Sequence, residues 1–198
     1  MKKASGIAAI GAAFAIGLAA TAHAQAPQQA PLAIPNPHYE VITLDIAINK
    51  PAAEVWKRVG KYCDIGEWLQ VPCMITSGQD GEVGAVRSIG NEILVAKTEF
   101  SYTYTQPPRV GVPYPLYHGT MEARPVTPTT SRMIYTLVYD NSMMADDAAR
   151  ATDKQRRTTQ FTRAIQNMKT LAEGGTLPPP APRGGAPGAA PAGGGRGN

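Results

Sequence analysis

Cysteine, tryptophan and phenylalanine are scarce in this chain of 198 residues, which contains two, two and three of them. Charged residues make up only 17% of the sequence. The chain also lacks a C-x-x-C pair, a phosphate-binding loop, a G-x-S-x-G nucleophile motif and a dinucleotide fingerprint. The sequence therefore gives no support to the recognisable metal-dependent, nucleotide-dependent or serine-hydrolase classes, and we predict neither a metal nor a cofactor.

Long apolar runs are also missing, apart from one near the start. Lys2 and Lys3 precede an uncharged stretch that ends in Ala22-His23-Ala24, which is the pattern of a cleavable secretory signal. The alternative is a retained membrane anchor, but the stretch of about 14 residues is shorter than the roughly 18–20 needed to cross a bilayer. We predict a signal peptide over residues 1–24, no stable membrane anchor after cleavage, and a periplasmic or secreted protein.

Two segments are dominated by Pro, Gly, Ala and Gln, a composition that buries too little apolar surface to fold. They are a spacer at 25–37 and a disordered tail at 176–198. One domain, residues 38–175, lies between them. The signal and the tail hold four of the 19 basic residues, which leaves 15 to balance the 15 acidic ones. A neutral domain has no electrostatic footprint for nucleic acid, so we expect no nucleic-acid partner. We also expect a monomer whose partner is a small molecule.

Cys63 and Cys73 are the only cysteines. In an exported protein such a pair predicts a disulfide. Two free thiols, or a catalytic cysteine, are the alternative, although no partner for a nucleophile can be located in the sequence.

Periodicity predicts an α+β domain. Residues 39–49 alternate as a strand, and Pro51 then opens a short helix that ends near Gly60, followed by a second helical turn with Asp64 as its cap. Short strands follow at 71–77, 83–89, 92–98, 101–106, 117–126 and 131–139. A long helix over 145–172 ends the domain, with an apolar stripe in its second half and a polar first half. The inner side of that first half is therefore either lightly packed or next to something polar.

Five segments in this order resemble the START-like helix-grip superfamily, also called SRPBCC, which includes polyketide cyclase/dehydrase and lipid-transport proteins. They are NKPAAEVW at 49–56, YCDIGEW at 62–68, GEVGAVR at 81–87, YHGTMEARP at 117–125 and YTLVY at 135–139. The resemblance implies a curved antiparallel sheet of six or seven strands wrapped around a long C-terminal helix, with two short helices after the first strand. It also implies a cavity between sheet and helix for an apolar or amphipathic ligand.

The candidate ligand-binding residues are mostly strand residues that share a face and could grip an apolar molecule. The alternative is that they are ordinary core or sheet aromatics. They are Tyr102, Tyr104, Tyr117, Met121, Tyr135, Leu137 and Tyr139. Arg87 joins the set as a possible partner of a ligand carboxylate, although a cross-strand ion pair with Glu92 or Glu99 is the commoner fate of such a residue.

His118 and Glu122 share strand parity and are candidates for an acid/base pair. They lie roughly 13 Å apart along one strand, so a substrate would have to lie between them. The alternative is that both point outward, because parity alone does not say which face is inside.

These patterns favour an exported binding protein or carrier for a small hydrophobic or amphipathic ligand. A cyclase/dehydrase-type enzyme that uses polar groups in the same cavity is the second hypothesis. A protein-interaction module with the tail as a tether is the third.

Overall fold

The strands and helices follow the predicted order along the chain. The computed structural model describes residues 36–109 and 114–180. Its elements are β1 (Tyr39–Ile48), α1 (Ala52–Val59), α2 (Ile65–Trp68), β2 (Ile75–Ser77), β3 (Val86–Arg87), β4 (Glu92–Thr98), β5 (Ser101–Thr105), β6 (Tyr117–Thr127), β7 (Thr130–Asp140) and α3 (Asp147–Ala172).

The strands form one antiparallel sheet of seven, in the order β1-β7-β6-β5-β4-β3-β2. This confirms the predicted architecture. Gly90 and Asn91 connect β3 to β4 with φ angles of 64° and 52°, as a tight hairpin turn of the primed type requires.

Strands β2 and β3 are much shorter than predicted. The strands expected at 71–77 and 83–89 contain three and two residues. Gly84, inside the expected strand at 83–89, adopts a φ angle of 94°, which interrupts an extended strand. The amide of Val71 bonds to the carbonyl of Gly66 rather than to a neighbouring strand. Local turns therefore replace the outer ends of both strands.

Alternation along β6 and β7 sets which face of the sheet packs against α3. Tyr117, Gly119 and Met121 of β6 are buried, and Tyr135, Leu137 and Tyr139 of β7 lie on the same inner face. A Cβ on Gly119 would overlap the ring of Tyr104 on β5. Glycine at this position therefore lets that ring lie across the neighbouring strand.

Helix α3 begins where Asp146 caps it, since the Asp146 carboxylate accepts a bond of 2.8 Å from the amide of Ala149. Its second half buries the predicted apolar stripe, Phe161, Ile165, Met168 and Leu171. Its first half instead buries Asp153 and Arg157. The inner side of the polar half thus packs next to polar groups, which was one of the two alternatives.

The disulfide between Cys63 and Cys73 is confirmed, with a Cα–Cα distance of 5.6 Å. It joins the loop after α1 to the segment before β2. Asp64 does not cap α2 with its side chain. Its carboxylate accepts a bond of 2.9 Å from the amide of Lys61 instead, which tightens the loop that carries Cys63.

The predicted tail begins differently from expectation. Leu177 packs against the core, and the side-chain amide of Gln70 donates a bond of 2.6 Å to the carbonyl of Pro178. The first residues of the proposed tail therefore lie on the domain. The predicted signal peptide, residues 25–35 of the spacer and residues 181–198 of the tail lie outside the described residues. Among the helices that the structure describes, none combines the length and the apolarity that a membrane span requires.

Candidate functional site

Five of the predicted ligand-binding tyrosines lie together on the inner face of the sheet. Tyr102, Tyr104, Tyr117, Tyr135 and Tyr139 are each at most 4% exposed, and we call this group the tyrosine interior. The hydroxyls of Tyr104 and Tyr135 are 2.8 Å apart and hydrogen-bonded, and the ring of Tyr135 lies 4.9 Å from that of Phe161 on α3. The rings fill space between sheet and helix with contacts to one another.

Arg87 is completely buried at one end of the tyrosine interior. Its Nε donates to the Glu92 carboxylate at 2.7 Å and its Nη1 donates to the carbonyl of Tyr62 at 2.7 Å. The guanidinium carbon lies 4.3 Å and 4.6 Å from the ring centres of Tyr62 and Tyr104, a cation–π arrangement. The predicted ion pair with Glu92 is confirmed, so the partner of Arg87 is the protein's own carboxylate.

Burial and charge act in opposite directions on this pair. Burial lowers the pKa of Arg87, but Tyr102 and Glu92 raise that pKa well above its usual value. Burial raises the pKa of the Glu92 carboxyl, and the guanidinium beside it opposes the rise. Each charge of this buried pair is therefore stabilised by its partner and not by water.

A second buried arginine lies at the other end of the tyrosine interior, and the sequence reasoning missed it. The guanidinium carbon of Arg157 lies 4.1 Å from the ring centre of Tyr114, and 4.9 Å from those of both Tyr117 and Tyr139. Its Nε donates to Asp153 at 3.2 Å, and the hydroxyl of Tyr114 donates to the same carboxylate at 2.6 Å. The available signal was the i, i+4 pair of Asp153 and Arg157 on the polar half of the last helix.

The pKa values in this second cluster follow from its contacts. Burial raises the pKa of Asp153, but the bond from Tyr114 and the nearby Arg156 and Arg157 outweigh it, and the pKa falls below its ordinary value. Burial raises the pKa of Tyr117 to about 12. At neutral pH the tyrosines are therefore neutral and the carboxylate is charged.

His118 and Glu122 lie on the outer face of the sheet, opposite the tyrosine interior. The residues of β6 that alternate with them, Tyr117, Gly119 and Met121, are the buried ones. Glu122 accepts two bonds of 2.9 Å from the guanidinium of Arg124. The burial pattern of β6 therefore corrects the hypothesis that these two residues act as an acid/base pair inside the domain.

A solvent-open cleft of about 490 Å³ lies beside α1, between that helix and strands β4 and β5. We call it the α1 cleft. Its apolar wall consists of Trp56, Tyr62, Leu94 and Tyr102, and Lys57, Lys61, Lys97 and Asp80 contribute charges. Of the predicted ligand-binding residues, only Tyr102 lines this cleft.

The sequence of α1 explains why Trp56 reaches the cleft. Ala52, Val55 and Val59 are the buried face of the helix, and Trp56 stands at its margin, half-buried. Its ring centre lies 5.6 Å from that of Tyr102. A Cβ on Gly60 would overlap the Trp56 indole, so this glycine allows the ring to lie against the helix end.

Metal-binding potential is low in what the structure describes. In residues 36–109 and 114–180, no three histidine, cysteine or acidic side chains are grouped closely enough to hold a metal ion.

Comparison with known proteins identifies the fold. No protein-family model matches the chain, and no curated protein matches it in sequence. Among solved structures, a protein from Thermobifida fusca is 20% identical with a TM-score of 0.57, over 69% of this chain and 97% of that one. The ZhuI aromatase/cyclase from Streptomyces sp. R1128 is 14% identical with a TM-score of 0.52, over 70% and 100%. A truncated norcoclaurine synthase from Thalictrum flavum is 12% identical with a TM-score of 0.50, over 68% and 94%.

At these identities the likeness concerns the fold. The match extends over nearly the whole of each solved chain. The chain therefore has the helix-grip fold, as its sequence motifs predict.

Proposed function

We propose that this protein is an exported binding protein for a small amphipathic molecule with an aromatic or other flat apolar body. The observation that carries the proposal is the α1 cleft, where the half-buried ring of Trp56 borders open space and the buried rings of Tyr62 and Tyr102 lie in the wall behind it. Its volume of about 490 Å³ is within the range of roughly 300–1,000 Å³ for small-molecule sites.

The wall of the cleft suits a flat apolar ligand. Trp56 offers an indole face that solvent still reaches, and Leu94 and Tyr102 lie behind it. A planar ring placed on Trp56 buries apolar area on both partners, and aromatic pairs contribute further when their rings are offset or tilted.

The tyrosine interior is a poorer site than the fold led us to expect. A ligand between sheet and α3 would have to displace rings that contact each other and the two buried arginines. Separating a buried guanidinium from its carboxylate is costly because the charge is then left unpaired. The same pairing argues against the cyclase/dehydrase hypothesis, since Glu92 and Asp153 are already held by arginine and tyrosine. The fold itself does not separate carriers from enzymes.

Export is supported by the disulfide between Cys63 and Cys73, a bond that persists in oxidising compartments, and by the signal pattern of residues 1–24. We expect the protein in the periplasmic or extracellular fraction with Gln25 as its first residue. Cell fractionation and N-terminal sequencing test this. A chain that keeps Met1 and stays with the cytoplasmic fraction would contradict it.

Binding is tested with N-phenyl-1-naphthylamine, a neutral aromatic probe that fluoresces when it leaves water. We expect the wild-type protein to bind it and Trp56→Ala to weaken binding about tenfold or more, because burial of one aromatic face contributes roughly 1.5–3 kcal/mol. The matched control is Tyr39→Ala, which removes an exposed aromatic side chain on β1, a strand that β7 and β6 separate from the cleft strands β5 and β4. Equal affinities of the wild type and Trp56→Ala would overturn the proposal.

A further inference from the structure

The α1 cleft carries an uneven set of charges. Lys57, Lys61 and Lys97 line it, against the single carboxylate of Asp80. Lys97 is already engaged, since its Nζ donates to Glu82 at 2.8 Å and to the carbonyl of Gly81 at 2.9 Å. Lys57 and Lys61 are exposed, and within the described ranges neither ammonium group has a carboxylate oxygen within 4.0 Å; the Asp64 carboxylate bonds the backbone amide of Lys61 instead. The ammonium groups of Lys57 and Lys61 are thus not held in a salt bridge within the described residues.

The dipole of α1 explains the position of only one of these lysines. Lys57 lies in the last turn of α1, where the helix dipole favours a cation. That preference does not account for Lys97, which reaches the same cleft from β4 on the opposite wall. Lys61 lies two residues beyond the end of α1 but lines the same cleft as Lys57, and like charges brought close together repel. An anion between them would relieve that repulsion.

The apolar wall and the lysines lie within one cleft, so a single molecule can meet both. Resting on the proposed function, we infer that the ligand is an aromatic or other flat apolar anion, such as a carboxylate. Its ring system lies on Trp56, and its charged group lies at Lys57 and Lys61. Lysine presents a compact charge on a flexible side chain, whereas arginine presents a rigid planar guanidinium. The site therefore discriminates between ligands by their charge more than by the shape of the anionic group. Asp80 is the one opposing charge in the lining, and its repulsion of an anion is outweighed by the attraction of the lysines.

Two probes isolate the charge. N-phenyl-1-naphthylamine and 1-anilinonaphthalene-8-sulfonate have the same rings and differ by one sulfonate. We expect the sulfonate to bind the wild-type protein about fivefold or more tightly than the neutral probe at low salt, the effect of one close charge pair near a protein surface. The Lys57→Gln/Lys61→Gln double variant should bring the two affinities together. About 1 M NaCl, where the Debye length is about 3 Å, should do the same in the wild type.

The control is Lys154→Gln, which removes one lysine on α3 that pairs with Glu40 at 2.7 Å. This variant should keep the wild-type preference for the sulfonate, and circular dichroism checks that each variant is folded. Three results would overturn the inference: equal binding of both probes, an unchanged preference in the double variant, or an equal loss in Lys154→Gln. In each of these cases a loss of neutral-probe binding in Trp56→Ala would leave the proposed function standing, whereas no effect of Trp56→Ala on either probe would overturn both.

Discussion

Replacing Glu92 by glutamine should destabilise the protein far more than the same change at a surface ion pair. The side chains of Arg87 and Glu92 are 0% and 7% exposed and their closest atoms are 2.6 Å apart. Glu92→Gln keeps the shape but leaves the guanidinium charge buried without a counterion, which typically costs about 3–5 kcal/mol.

The structure favours the lower end of that range. After the change, Arg87 keeps its bond to the carbonyl of Tyr62 and its position over the Tyr62 and Tyr104 rings, and the new amide oxygen still accepts one hydrogen bond. We therefore expect a loss of about 3 kcal/mol in the free energy of unfolding, or roughly a hundredfold in the unfolding equilibrium, a large part of the 5–15 kcal/mol of a typical domain.

Urea unfolding followed by tryptophan fluorescence, with the disulfide intact, measures this loss. The matched control is Glu67→Gln, which breaks the Arg58–Glu67 pair, whose side chains are 40% and 48% exposed. That change should cost less than about 1 kcal/mol. The double variant Arg87→Met/Glu92→Leu removes both charges and should be less destabilised than Glu92→Gln alone. The reasoning fails if Glu92→Gln costs no more than Glu67→Gln, or if the double variant is the least stable of the set.

Three further outcomes test the interior and its supports. Burial raises the pKa of Tyr117 to about 12 and also raises those of Tyr104 and Tyr135. Because tyrosine in the unfolded chain ionises near 10, this stabilisation is complete below about pH 10 and is lost as the pH rises. Phenolate absorbance should therefore increase together with loss of circular dichroism, and ionisation of most tyrosines in a folded protein would contradict this. Reducing the disulfide should lower the free energy of unfolding by about 2–3 kcal/mol, from its separation of ten residues, and reductant should have no effect on Cys63→Ser/Cys73→Ser. Gly119→Ala should cost about 1–3 kcal/mol in urea unfolding by displacing the Tyr104 ring, whereas Val126→Ala, exposed on the same strand, should stay within about 0.5 kcal/mol of wild type.

Most of the fold could be predicted because it depends on local patterns. Tyr117, Gly119 and Met121 are spaced two residues apart, which placed them on one face of β6. Gly90-Asn91 marked a hairpin turn. The spacing of Phe161, Ile165 and Met168 defined the buried stripe of α3. Strand β3 was predicted too long because alternation does not show that Gly84 takes a positive φ angle, and β2 because it does not show that the amide of Val71 bonds to the carbonyl of Gly66.

The candidate site was harder to predict because it depends on contacts between distant parts of the chain. Asp153 accepts a bond from Tyr114, which lies 39 residues earlier in a proline-rich connection, so no local pattern joins them. Parity placed His118 and Glu122 on one face but could not say which face packs against α3. The role of Trp56 was missed because helical spacing places it at the margin of the apolar stripe, where packing and cleft lining look alike in sequence.

The two buried arginines explain why tyrosine rather than phenylalanine fills this fold. The chain has eight tyrosines and three phenylalanines, and Tyr102 and Tyr117 each accept a bond from an arginine, at 3.4 Å and 3.2 Å. A phenylalanine at either position would fill the same space but leave a guanidinium N–H without that acceptor, which is costly in a buried site. Because the rings pack against one another and against the arginines, the interior of this helix-grip domain behaves as a core. The open apolar surface of Trp56 then lies outside that core, in the α1 cleft, where a ligand can bind without breaking a buried ion pair.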